Sequence, residues 1–233
     1  MTVGLRLGVL GLFLLSRPHM GEAGTVKGRV EFSGPRPNEE WVSVQKNRDV
    51  CGSRRPLERL LLSPEGAVAN VLVELEGAPG AEARSELPPR IAVLDNRDCR
   101  FMPRVQLATV GTLLEIRNSD AILHTAHAYR KPDETAFHVA LPHFREHIRV
   151  TLHTPGLLRV ICDVGHVWME AYIFVTDNRF TAVTDAQGRF SLAGVPAGTY
   201  QLRVWHELLG SVARPISIVE GETEDVLVRY PER

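Results

Sequence analysis

Apolar residues along this chain come in short runs, often alternating with polar ones, and Gly, Pro, Asn and Asp separate the runs. A repeat of two places successive side chains on opposite faces of an extended strand. The pattern predicts strands at Val26–Phe32, Val71–Glu76, Ile91–Leu94, Leu113–Arg117, Ile148–Leu152 and Leu157–Cys162. Further strands are predicted at Tyr172–Val175, Phe190–Leu192, Tyr200–His206, Ile216–Val219 and Val226–Arg229. The segments "SGPRP", "SPEGA", "APGAEA", "DAQG" and "VPAG" supply the turns between them. No segment holds a helical period over about 12 residues, so the expected class is all-β.

Pro88-Pro89 and Asp177-Asn178 bracket a middle block. Within it "FMPRVQLATVGTLLEIRNSD" alternates, turns at Gly111, continues as a strand and leads to His124. A later strand ends at Cys162, and a β-sandwich gathers distant strand ends at one pole. The outer segments "GTVKGRVEFSG", "NVLVELEG" and "TDAQGRFSLAGVPAGTYQLRVWHE" read as strands of one small sandwich. The middle block then looks like an insertion into it. The expected division is 24–88 and 178–233 for the outer domain and 89–177 for the inner one.

Charge adds little. The 233 residues carry a formal net charge of −1, which asks for neither nucleic acid nor an acidic membrane surface. Arginine clusters at 54, 55 and 59 and at 97, 100 and 104 read as solvated faces. The first residues change the picture more. Arg6, the apolar run Leu7–Leu15 and small residues at Gly21 and Ala23 form the pattern of a secretory signal peptide, 1–23. The run is far shorter than the roughly 20 residues a membrane-spanning helix needs. The mature protein is expected to be exported and free of transmembrane segments, and periplasmic in a Gram-negative source. An exported chain can keep disulfides, and three cysteines leave one thiol over. Cys51 and Cys99 lie in turn-like contexts, so their pairing is the simplest reading, with Cys162 free.

That free thiol sits in "VICDVGHVWMEAY" with His166 and Met169. Two imidazoles, one thiolate and a weak thioether make up a blue-copper donor set. Gly165 allows the tight turn such a loop needs. His124, from another strand end, would be the second imidazole. Nothing in the chain forms paired carboxylates, a Ser/His/Asp arrangement or a Gly-rich phosphate loop, so hydrolase and kinase readings have no support.

The block from about Arg90 to Asp177 resembles the cupredoxins, through "FMPRVQLATVGTLLEIRNSD", His124-Thr125 and "PGLLRVICDVGHVWM". The resemblance implies a Greek-key sandwich and one mononuclear copper on His124, Cys162, His166 and Met169. Three residues separate Cys162 from His166, one more than in common loops of the family. This spacing is similar to the binuclear copper loop of cytochrome oxidase, but Leu158 stands where that loop has its first cysteine. Leucine cannot bridge two coppers, and the colour class of a mononuclear site stays open. The outer segments resemble the carboxypeptidase regulatory-like (transthyretin-like) sandwich, through Gly188, Phe190, Leu192, Pro196, Gly198 and Tyr200. In that family the domain is mostly structural or a binding module. Trp168-Met169 and Trp205-His206-Glu207 match a group of exported cupredoxin-containing proteins.

The remaining residues with relevant chemistry have assigned expectations. Asn118 and Asp120 would hydrogen-bond toward the thiolate loop and fix its orientation. Trp168 would flank an exposed histidine edge. His127 lies three residues from His124, so on a strand it faces away, and it could be an accessory ligand only if the chain bends. His138, His143, His147 and His153 read as solvated, with an accessory copper or substrate site on one or two of them as the alternative, and His206 as a contact between domains. The function these features imply is one-electron transfer to a redox partner such as a cytochrome or exported oxidoreductase, not catalysis. Copper storage or delivery, or a structural adaptor role, are the alternatives.

Overall fold

The computed structural model describes residues 23–81 and 91–231. The expected signal segment, save Ala23, and the Pro88-Pro89 boundary lie outside the described residues. The chain runs through β1 (Gly24–Phe32), β2 (Trp41–Ser43), α1 (Arg48–Cys51), β3 (Arg54–Pro56), β4 (Leu72–Glu76), β5 (Ile91–Arg97) and β6 (Arg100–Met102). It continues through β7 (Val105–Ala108), β8 (Leu113–Asn118), β9 (His124–Lys131), β10 (Glu134–Leu141), β11 (His147–Thr151) and β12 (Gly156–Ile161). It ends with β13 (Glu170–Val175), β14 (Thr181–Val183), β15 (Arg189–Val195), β16 (Gly198–His206), β17 (Gly210–Ile218) and β18 (Thr223–Tyr230). The fold is all-β, and no helix among the described residues is long and apolar enough to cross a membrane.

Two hydrophobic cores organise the strands. Sheets β15-β1-β18 and β14-β4-β16-β17 enclose the first, which holds Val26, Val30, Leu75, Phe180, Leu202 and Tyr230. Alternation is clean here: along β16 and β18 every second residue is buried. Sheets β10-β9-β12-β13-β7 and β11-β8-β5-β6 enclose the second, with Leu94, Leu114, Ile116, Leu158 and Ile173. Each such side chain contributes about 1.5–3 kcal/mol on burial. Strands β5–β13 all serve the second core, while β1, β4 and β14–β18 serve the first.

Each predicted strand overlaps an observed one, and β9 and β10 are the longest of the additional strands. Their signal was weak for physical reasons. Ala126 and Ala128, not branched residues, fill the buried face of β9, and alanine is depleted in strands. Strand β10 is a sheet edge and half-exposed.

Three placements bear on the expected surface and boundaries. Val44, Cys51 and Leu57 pack into the second core although they fall within 24–88, because the Cys51–Cys99 disulfide draws α1 onto that sandwich. Arg104 is not part of a solvated face. Its guanidinium is 12% exposed and grips Glu207 twice, Nε–Oε1 at 2.6 Å and Nη2–Oε2 at 2.7 Å. It also donates to the Glu170 carbonyl at 3.3 Å, so it joins the two sandwiches beside the end of the 162–169 loop. His206 is buried, its Nδ1 accepting from the Leu208 and Leu209 N–H groups. Burial and nearby Arg104 hold its pKa down, to about 4, so it is neutral. Its neighbours Glu207 and Trp205 also reach the other sandwich, the latter edge-on to Tyr172 at 5.2 Å.

Candidate metal centre

Strand β9 begins at His124, and β12 ends one residue before Cys162. The two strands pair antiparallel, with Ile161 opposite His127, so the start of one meets the end of the other. The chain then turns through Gly165, at φ 101°, a conformation that favours glycine, and returns as β13. His166 therefore folds back over Cys162, and the Met169 N–H closes the loop on the His166 carbonyl at 2.9 Å.

Three donor atoms converge there. His124 Nδ1 and His166 Nδ1 are 3.2 Å apart, and Cys162 Sγ lies 3.7 and 3.5 Å from them. A point equidistant from atoms so spaced lies about 2.0 Å from each, close to the bond lengths of a first-row cation to imidazole and thiolate. Both histidines are fully buried and Cys162 is 2% exposed. The donor set, its spacing and its burial fit a soft or borderline cation such as copper.

The far side of each ring is also held. His124 Nε2 meets Asp120 Oδ2 at 3.0 Å, and His166 Nε2 meets the side-chain oxygen of Asn47 at 3.0 Å. With Nε2 donating to an oxygen, the Nδ1 lone pair is the one turned to the centre. Asp120 is itself fixed by the Asp98 and Cys99 N–H groups, each at 2.9 Å. Asn47 stands at the start of α1 in the left-handed region, φ 57°, which asparagine tolerates. Its side chain caps no helical N–H and reaches His166 instead.

Electrostatics prepare the sulfur. Burial pushes the Cys162 thiol up, but hydrogen bonds with His124, His166 and the Thr125 N–H outweigh it and bring the pKa to about 6. The thiolate, which is the metal-binding form, is thus populated at neutral pH. Burial also disfavours the His124 cation, yet the Asp120 carboxylate and the Cys162 sulfur raise its pKa overall. A cation entering between these groups displaces a proton.

The structure brings His124, Cys162 and His166 together and holds Met169 buried in the same core as Cys162. Other expected residues fall elsewhere. Asn118 does not reach the thiolate loop. Its Nδ2 donates to the carbonyls of Ile122, Leu141 and His143, because β10 returns beside it. Asp120 grips an imidazole, not the loop. Trp168 flanks no exposed edge: it is buried, 5.3 Å from the His166 ring, with its indole N–H on the Cys99 carbonyl. His127 points to the opposite face of the sheet from His124, so it does not join these three donors.

Two residues were missed. Thr125 donates its N–H to Cys162 Sγ at 3.4 Å, a contact any residue following His124 could make through its backbone. Asn47 lies 119 positions from His166 and carries no local signal. Asn47→Ala is expected to weaken metal affinity by roughly 10–100-fold, the usual effect of freeing a ligand's outer nitrogen. Chelator competition on wild type and variant measures it, and equal affinities would show that Asn47 does not orient His166.

A family model described as the carboxypeptidase regulatory-like domain matches residues 159–230, a span that begins within β12. Among solved structures, the chain is similar to a copper-containing nitrite reductase from Thermus scotoductus, with 28% identity over 38% of this chain and a TM-score of 0.33. It spans only 23% of that reductase. A mutant of amicyanin in its Cu(I) form shares 17% identity over 44% of this chain and 97% of its own, with a TM-score of 0.32. The purple cupredoxin from Nitrosopumilus maritimus shares 15% over 37% and 99%, with a TM-score of 0.31. No curated protein matches the chain.

Proposed function

We propose that this is an exported copper protein that carries single electrons, with one copper on His124, Cys162 and His166 and Met169 as a weak fourth donor. The observation that carries this reading is the triangle of Nδ1, Nδ1 and Sγ atoms, with both imidazoles clamped at Nε2. Copper, when bound, supplies a one-electron change of charge. The protein's part is to hold the donors still through it. Asp120 and Asn47 fix the rings, the Thr125 N–H fixes the sulfur, and the second core surrounds all of them. Burial of every donor favours a resident ion over one handed on to another protein, because hand-over needs the loop to open.

Electrons would pass to a cytochrome or an exported oxidoreductase. Val167, 75% exposed between His166 and Trp168, offers an apolar contact beside a buried ligand. Residues 24–88 and 178–233 would form a transthyretin-like domain and 89–177 a cupredoxin domain, with the 41–57 segment covering the latter. The amino-terminal apolar segment would direct export, to the periplasm in a Gram-negative organism. Visible and EPR spectra of Cu(II)-loaded protein test the reading. An intense thiolate-to-copper band is expected, and a colourless complex with ordinary tetragonal spectra would overturn it.

A further inference from the structure

We propose that the outer face of the β10-β9-β12 sheet holds a second divalent cation, Cu²⁺ or Zn²⁺, on His127, His138 and Asp163. This site shares no ligand with the inner centre and does not depend on the function proposed above.

Strand pairing assembles it. His138 on β10 is the direct cross-strand partner of His127 on β9. Directly opposed residues on one face have neighbouring Cβ atoms, and these two rings stack 4.0 Å apart at an interplanar angle of 8°. On the other flank of β9, Ile161 is paired with His127, and Asp163 follows two residues later on the same face. Two paired strands and the segment just past the end of β12 thus present imidazole, imidazole and carboxylate in a row, with one donor atom from each within 4.8 Å of the others.

Each contact needs either a proton or a cation between nitrogen and oxygen. Two imidazole nitrogens converge on a single oxygen, Asp163 Oδ2, His127 Nδ1 at 3.0 Å and His138 Nε2 at 3.4 Å. The Tyr129 hydroxyl also reaches His127 Nδ1, at 2.7 Å, and Thr135 Oγ1 lies 2.9 Å from its Nε2. Nitrogen lone pairs cannot face a carboxylate oxygen without a proton or a cation between them. The carboxylate is preset for the task. Thr125 Oγ1 donates to Asp163 Oδ1 at 2.5 Å, which leaves Oδ2 as the coordinating atom. Two imidazoles and one carboxylate select a borderline transition metal over calcium or magnesium and leave coordination positions open to water or a substrate. The stacked rings cannot both aim in-plane lone pairs at one ion as they stand, so the His138 ring must turn. Its side chain is 48% exposed on an edge strand, where that turn is free.

Cys162 and Asp163 are consecutive, so one peptide unit links the inner thiolate to the outer carboxylate. Thr125 spans the same gap, its N–H on the sulfur and its hydroxyl on the carboxylate.

Zn²⁺ titrated calorimetrically into wild type, His138→Ala, Asp163→Asn and His143→Ala tests the proposal. Wild type and His143→Ala, whose exposed histidine lies outside the cluster, should take up one Zn²⁺ more than His138→Ala. Asp163→Asn should bind that ion at least tenfold more weakly. Equal stoichiometry and affinity in wild type and His138→Ala would overturn the proposal. Copper loading of His138→Ala keeps the two readings apart. Its visible band should match that of wild type, and a band absent from both would count against the inner centre alone.

Discussion

Cys162→Ser is expected to abolish the intense visible absorption of the Cu(II)-loaded protein, a loss of at least tenfold in extinction, while the chain stays folded. The band requires a thiolate bonded to copper. A serine hydroxyl does not ionise near neutral pH, whereas Cys162 does so at about pH 6 because two imidazoles and the Thr125 N–H stabilise its anion. The fold should tolerate the change. Serine is nearly the same size, and the Thr125 N–H remains as its partner, so the cost of the buried hydroxyl is on the order of 1 kcal/mol. Spectrophotometry after copper loading, with circular dichroism on the same samples, gives the answer. An unchanged band in Cys162→Ser would place the colour, and hence the metal, elsewhere.

Replacing both Cys51 and Cys99 by serine should act on stability and on the metal together. The bridge closes a loop of 48 residues, and the chain entropy it removes from the unfolded state corresponds to roughly 4 kcal/mol. Its position adds the second effect. Cys51 ends the helix that begins beside Asn47, the residue on His166. Cys99 offers its N–H to Asp120, the residue on His124, and its carbonyl to Trp168. One covalent bond therefore stands behind both imidazoles. Urea denaturation should show the stability loss, and chelator competition should show weaker copper binding and a shifted visible spectrum. A variant less stable by that amount, yet with wild-type affinity and spectrum, would limit the bridge to a role in stability.

Much of this was legible from the chain alone because it depends on local order. His124 follows a strand, Cys162 ends one, and Gly165 lets His166 return, so the three donors could be read from pattern and spacing. The pairing of Cys51 with Cys99 was the simplest reading of an odd count and two turn-like contexts, and the disulfide is present. What was illegible depends on residues that meet only after folding. Asn47 reaches His166 across 119 positions. Arg104 looked like one more surface arginine because its partner, Glu207, comes from the other sandwich. The register that sets His138, an exposed residue of an edge strand, beside His127 appears only once β9 is in place. Asn118 was read as reaching across to the loop, but the return of β10 gave its amide three nearer carbonyls.

The Arg104–Glu207 pair also bears on how the molecule can be divided. Both side chains are nearly buried, and Glu207 supplies the two shortest contacts of the guanidinium. Excising residues 91–177 would remove that partner and leave a desolvated cation, a loss that commonly costs several kcal/mol. Among the described residues, the other carboxylate paired with it is Glu170, at 3.8 Å, already engaged by Arg159 and directly following Met169. The sandwich that carries the 162–169 loop is therefore not a self-contained cassette. Its neighbour neutralises a charge that would otherwise pull on the end of that loop.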